Sequence, residues 1–333
     1  MNPSQAPKVV VIGGGTGTFT VLTGLKNYFK DITAIVNMSD DGGSTGVLRD
    51  ELGVLPPGDV RQCLVAMSES DQTMRDLFNY RFEEGTFGGH SFGNLFLTAL
   101  EKTTGSFAQA VKTAGDVLKI SGHVIPVTLT DTQLVLKHTD GTKTVGQHAV
   151  ENTHFESGGE PALALEPKAT LNPAAKAAIE QADLIVIAPG NLYASLAPTL
   201  LVEGMGEALR AAQAKLVYIC NLVTKPGQTD GFMVHDYVRE IERFIGGQAI
   251  NCVVYNTRKP SRELLEKYAR AGEYAVGYSP DVFKRSHYEA VGDSLVSDTI
   301  PKLSAADQLI PRTFIRHNSD KVAKAIMGIY FAS

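Results

Sequence analysis

A series of short, nearly continuous apolar runs constrains this chain most: KVVVI from residue 8, DITAIVNM from 31, DLIVIA from 183, KLVYIC from 215 and NCVVY from 251. Strands that alternate apolar and polar residues keep one face in water, whereas runs that are apolar throughout belong to strands covered on both faces, as in parallel sheets. Between the runs lie stretches with helical spacing. Val21, Leu22, Leu25 and Phe29 share one face, AAKAAIEQ precedes DLIVIA, and further helices are predicted from Leu200 to Ala211 and near Met233 to Phe244. Strand and helix alternating in this way predict a Rossmann-like three-layer α/β/α fold with a mostly parallel sheet. One segment departs from the pattern. PVTLTDTQLVLKHTDGTKTVGQHAV alternates with period two around an Asp140-Gly141 turn, so residues 121–170 are predicted to be a small inserted antiparallel β subdomain within one α/β domain spanning 1–333. AIMGIYFA reads as a helix docking the C-terminal end.

Such a fold needs a sizeable core, and 43% hydrophobic residues over 333 positions supply one. The 31 basic and 36 acidic residues give a net charge of -5 with no basic tract, which argues against a nucleic-acid partner. Cys63, Cys220 and Cys252 form no CxxC or Cys/His spacing, so a reducing compartment is expected rather than a structural zinc. MNPSQAPK runs directly into the first apolar stretch without room for a signal peptide, and nothing approaches the ~20 apolar residues of a bilayer span. Cytoplasmic localisation without membrane insertion is the expectation.

In an open parallel sheet, ligands bind beyond the carboxyl ends of the strands. The segments that follow the runs here are GGGTGT (Gly13, Gly14, Gly15, Thr16, Gly17), SDDGGS (Ser39, Asp40, Asp41, Gly42, Gly43, Ser44), PGNLYAS with Gly190, Asn191 and Tyr193, NLVTKPGQTDG with Asn221 and Thr224, and NTRKP. All are predicted to converge on one composite site. GGGTGT, between strand and helix, offers backbone N–H groups and a helix dipole to a phosphate. It is not a Walker A loop, because no GK[ST] occurs, and Thr20 spoils GxGxxG. Asp40 and Asp41 suit ribose hydroxyls or a divalent metal, against the alternative of a solvated Asp-Gly turn.

PPGDVRQC reads as a helix start, with Asp59 as N-cap and Gln62 as its reciprocal partner. Arg61 in that first turn opposes the dipole; it either answers an anion such as Asp40, Asp41 or a ligand phosphate, or is a solvated surface arginine. GGHSFGN contains a literal GxSxG around Ser91, but YRFEEGTFG is no core strand, so the glycines more plausibly open a helix at Asn94 than a hydrolase elbow. Asn191 and Asn221 can donate and accept to a base or sugar, and Tyr193 can stack; turn chemistry is the alternative for each.

Taken together, GGGTG, SDDGGSTGVLRDELG, LPPGDVRQCLVA, GGHSFGN, APGNLY and CNLVTKPGQTDGF resemble the bacterial gluconeogenesis factor family, which is related to 2-phospho-L-lactate transferase. The resemblance runs from Lys8 to the C-terminal helix. It implies binding of a nucleotide sugar such as UDP-N-acetylglucosamine, in a regulator of gluconeogenic carbon use and of cell shape and wall synthesis. Tyr268 and Arg316 are implied as further sugar-nucleotide contacts. The transferase branch implies transfer of phospholactate from a guanosine diphosphate carrier to a deazaflavin alcohol, with Asp40 and Asp41 at the acceptor and metal position. Three departures stand out: Val47 where the family usually has arginine, Gln228 where glutamate is common, and HNSD from His317 in place of His-Asp-Pro. The expected ligand is a nucleotide sugar or nucleotide. No cofactor is required for a binding role, Mg²⁺ is admitted for a transferase, and homodimerisation is left open. An NAD(P)-dependent oxidoreductase is the generic third reading of a glycine loop followed by an acidic residue.

Overall fold

The computed structural model describes residues 6–155, 160–297 and 315–332. The first half runs β1 (Lys8–Gly13), α1 (Gly15–Leu25), β2 (Asp31–Val36), α2 (Gly43–Leu52), α3 (Gly58–Met67), α4 (Gln72–Asn79), α5 (Phe92–Thr104), α6 (Phe107–Leu118) and β3 (His123–Pro126). A small unit follows, with β4 (Gln133–Lys137), β5 (Lys143–Val145), α7 (Gln147–Glu151) and β6 (Ala162–Glu166). The second half holds α8 (Pro173–Glu180), β7 (Leu184–Ile187), a π-helical turn (Leu192–Leu196) leading into α9 (Ala197–Leu200), α10 (Met205–Ala211), β8 (Lys215–Ile219), α11 (Val234–Ile245) and β9 (Cys252–Asn256). α12 (Arg262–Arg270), α13 (Pro280–Phe283), β10 (Glu289–Asp293) and α14 (Ser319–Phe331) complete it.

Seven strands form one sheet in the order β10-β9-β8-β7-β1-β2-β3, and every pairing in it is parallel. The continuously apolar runs are its strands, and β7 is buried along its whole length. α1 packs on α3 and α14, while α10 packs on α8 and α11, giving a helical layer on each face. This is the three-layer α/β/α arrangement expected.

Two boundaries differ from expectation. His123–Pro126 is the edge strand of the parallel sheet, paired with β2, so the antiparallel unit starts only at β4 and its sheet order is β5-β4-β6. Period-two alternation arises there because β3, at the sheet edge, exposes His123. The helix expected from Leu200 to Ala211 is broken, because Gly204 takes a φ of 93° and α10 starts anew after it. The Asp140-Gly141 turn does join β4 and β5, with Gly141 at φ 85°.

Candidate functional site

The direction of strand succession reverses at β1, which pairs with β2 on one side and β7 on the other. Loops leaving neighbouring strands diverge to opposite faces there, and a crevice opens at the carboxyl edge. The glycine loop lies in this crevice. The first turn of α1 is pressed against the loop after β7: a Cβ on Gly17 would overlap the Pro189 carbonyl, which explains glycine at that position.

The anion position at the α1 N-terminus is met by the protein itself. Gly15 N donates to Asp59 Oδ1 at 2.9 Å. Asp59 therefore does not cap α3 as the sequence pattern suggested: the N-cap is Pro57, Asp59 lies in the first turn, and its side chain crosses to the glycine loop. The close packing of α3 on α1 is the reason, since a buried carboxylate takes whichever N–H faces it. Asp59 is 7% exposed, and burial followed by the charge of Asp40 pushes its carboxyl up to about 7, against the opposing pull of the Gly15 N–H, Arg61 and Asn37.

Asp40 and Asp41 part company. Asp40 Oδ1 accepts from Gly42 N at 3.0 Å, and burial raises its carboxyl above the usual range, with the charges of Asp41 and Glu151 adding to it. Asp41 turns away to the small unit, where its Oδ1 accepts from His148 N at 2.7 Å. Asp40 thus feels the charge of Asp41 and in turn acts on Asp59, so three carboxylates are linked electrostatically at this edge. Nearby, Ser39 Oγ donates to Asn37 Oδ1 at 3.0 Å, and Asn37 Nδ2 donates to Gln147 Oε1 at 2.8 Å. Gly43 and Thr16 stand exposed at the rim, and Gly42 is half-buried.

Arg61 is not the solvated surface arginine of the second alternative; it is buried, and its charge acts on the Asp59 carboxylate. It is 8% exposed, and it donates from Nε to Asn94 Oδ1 at 3.0 Å and from Nη1 to Asn79 Oδ1 at 2.7 Å. Asn94 passes the chain on, donating to Ser44 Oγ at 3.3 Å, and Ser44 Oγ lies 2.9 Å from His90 Nδ1. Ser91 caps α5 by accepting from Asn94 N, so the GxSxG serine is a helix start.

On the other side of the crevice, Asn191 caps the π-helical turn, accepting from Tyr193 N and Ala194 N. Tyr193 cannot stack on a ligand as expected: it is 2% exposed, it donates to Glu240 Oε2 at 3.2 Å, and its ring centroid lies 4.9 Å from that of Phe155. The apolar interior between the small unit and α11 has claimed the ring. Asn221 ties two loops together by donating to the Gly190 carbonyl at 2.7 Å. Thr224 is buried and accepts from Tyr274 N at 3.0 Å, so it holds a loop rather than facing the crevice. Tyr268 is likewise 7% exposed, its hydroxyl accepting from Ile315 N at 3.0 Å, which places it beside half-buried Arg316.

Three residues of this region were not assigned to the site from the sequence: His317 and Gln228, noted only as departures from the family pattern, and Asn37. His317 Nε2 donates to the Cys220 carbonyl at 3.1 Å at the end of β8, and burial lowers its pKa to about 4. Gln228 Nε2 reaches the carbonyls of Val150, Glu151 and Thr153 at 2.8, 3.3 and 3.0 Å. Asn37 had a positional signal, lying directly after an apolar strand.

Comparison with known proteins agrees with this architecture. The family model described as "2-phospho-L-lactate transferase CofD" matches residues 9–296. The chain is 40% identical over 323 residues to a protein of Thermotoga maritima named "Putative gluconeogenesis factor", covering 97% of this chain and 99% of that one. It is 36% identical over 328 residues to the gluconeogenesis factor of Bacillus subtilis, covering 98% of each. A crystal structure of a Bacillus halodurans protein superposes with a TM-score of 0.87 at 36% identity, covering 97% of this chain and 100% of that one. Among the described residues no helix is long and apolar enough to cross a membrane. A match over most of its length and close relatives at full coverage agree on one conclusion: the chain belongs to the 2-phospho-L-lactate transferase CofD family, among relatives named gluconeogenesis factors.

Proposed function

We propose that this protein binds a nucleotide sugar of the UDP-N-acetylglucosamine type in the crevice beyond β1, β2, β7 and β8. In this reading it is a cytoplasmic regulator of carbon use and of cell shape and wall synthesis. The observation that carries the binding reading is the meeting of the glycine loop, the loop after β2 and the Asn221–Gly190 bridge at one switch point. Three free, buried cysteines suit a reducing compartment. Because Asp59 already faces the Gly15 N–H, the phosphates lie along the rim formed by Thr16, Gly43 and Ser44 rather than deep in the glycine loop. Titration calorimetry with UDP-N-acetylglucosamine, UDP-glucose and GTP, each with and without Mg²⁺, tests this; heat with none of them ends the binding reading.

A second reading, a transferase acting on a nucleotide-diphosphate-linked substrate, is favoured by the Asp40–Asp59 pair. Both carboxylates are raised by burial, and Asp59 also by the charge of Asp40, so a divalent cation between them would relieve that repulsion. Mg²⁺ keeps waters and substrate phosphates in its shell, so two carboxylates are enough to hold it. Asp40 and Asp59 would hold it, and the ion would neutralise the diphosphate charge. Asp41, whose Oδ1 accepts from His148 N, lies toward the small unit. Turnover of a deazaflavin alcohol acceptor that Asp40→Asn abolishes would support this reading; equal turnover in the variant would end it.

A further inference from the structure

α7 of the small unit is held from two loops that leave different strands. On one side are the loop after β2, through Asp41 to His148 N, and Asn37 at the end of β2, bound to Gln147. On the other side is the loop after β8, through Gln228. In the sheet, β7 and β1 lie between β8 and β2, so this span crosses the mouth of the switch-point crevice.

The two attachments differ in kind. Toward β2 the span is anchored: Val150 packs on Leu134 and Leu136 of β4, so the middle of α7 belongs to the small sheet. Toward β8, residues 151–155 are held by the Phe155 ring packed against the core and by polar ties to the loop after β8. One amide nitrogen of Gln228, with two hydrogens, serves three carbonyls, while its buried Oε1 has no partner. A buried acceptor without a donor raises the free energy of the closed arrangement relative to an open one in which water reaches it. Further ties are Phe155 N to the Gly227 carbonyl at 2.8 Å, the His154 ring lying against Gly227, a half-exposed Lys225–Glu151 ion pair at 4.0 Å, and the Phe155 ring against Tyr193.

We propose that residues 151–155 are a gate over the β8 side of the crevice, latched by Gln228, and that a phosphate-bearing ligand enters when this latch releases. The ligand half rests on the binding reading above; the gate itself does not. Gln228→Glu turns the donor into an acceptor facing three carbonyls, and Gln228→Met removes both the donor and the orphan oxygen while keeping the volume. Hydrogen exchange on the full chain reads the outcome, with the Phe155 amide as reporter. In both variants exchange across 152–155 accelerates about tenfold or more, while β4 and β7 keep wild-type protection. UDP-N-acetylglucosamine, followed by stopped flow, associates faster with both variants. Unchanged exchange at 152–155, or acceleration spread equally into β7, overturns the gate. Absence of UDP-N-acetylglucosamine binding to every form counts against the nucleotide reading alone, since the exchange contrast needs no ligand.

Discussion

Asp59→Asn is the sharpest perturbation this site offers, because the side chain is buried, charged near neutrality and fixed by one backbone donor. Asparagine keeps the shape and an oxygen to accept from Gly15 N, and removes the charge. The carboxyl titrates at about 7 in the folded protein against an ordinary value of 3.8. The folded state therefore holds the proton more tightly than the unfolded chain does. Its contribution is complete below about pH 4 and is lost as pH rises through 7, leaving the charged form costing about 4 kcal/mol at pH 8 and about 2 kcal/mol at pH 5. Asp59→Asn accordingly stabilises the protein most at pH 8, by up to about 4 kcal/mol or roughly 6 °C for a chain of this length, with the gain shrinking toward pH 4. Thermal melts of both proteins from pH 4 to 8 measure it. Millimolar Mg²⁺ should raise the wild-type melting temperature at pH 8 and leave the variant unmoved, because the ion takes over the neutralising role. A variant destabilised equally at every pH would refute the argument, showing that Asp59 acts through its hydrogen bond and not as a buried charge.

Tyr193→Phe removes the bond to Glu240 and should lower stability by about 1 kcal/mol while leaving affinity for UDP-N-acetylglucosamine unchanged, since the ring is interior; calorimetry and denaturant titration separate the two. Gly17→Ala must push α1 away from the Pro189 carbonyl, at about 1–3 kcal/mol, and should weaken nucleotide binding as the crevice widens. His317, lowered to about 4, stays neutral in the fold, so its contribution is full above pH 6.5 and is lost as pH falls toward 4. His317→Gln, which can still donate to the Cys220 carbonyl, should flatten the acid limb of the stability profile by up to about 2 kcal/mol at pH 5. Acid melts that superpose on wild type would exclude the role.

Much of the scaffold was legible in the amino-acid order because it depends on local pattern. KVVVI, DITAIV, DLIVIA and KLVYI are apolar throughout since both faces of each are covered, and such runs declare a parallel sheet before any contact is known. The gathering of the loops that follow them was legible for the same reason: a parallel sheet sends its carboxyl ends to one edge. His123–Pro126 was misplaced because an edge strand, covered less completely, alternates like an antiparallel one.

The roles of individual side chains were decided only by tertiary packing. Asp59 reads locally as a cap, yet α3 lies close enough to α1 that its carboxylate reaches Gly15 and occupies the position a phosphate was expected to take. Asp41 stands beside Asp40 in sequence, yet His148, more than a hundred residues later, draws it away. Tyr193 has the chemistry to stack on a base, yet Phe155 and Glu240 enclose it. Sequence by itself determined that glycine-rich polar loops gather at the carboxyl edge of a parallel sheet. Which polar atoms face that crevice was settled only by tertiary structure, because a buried donor or acceptor pairs with whatever group the packing of distant segments places within about 3 Å.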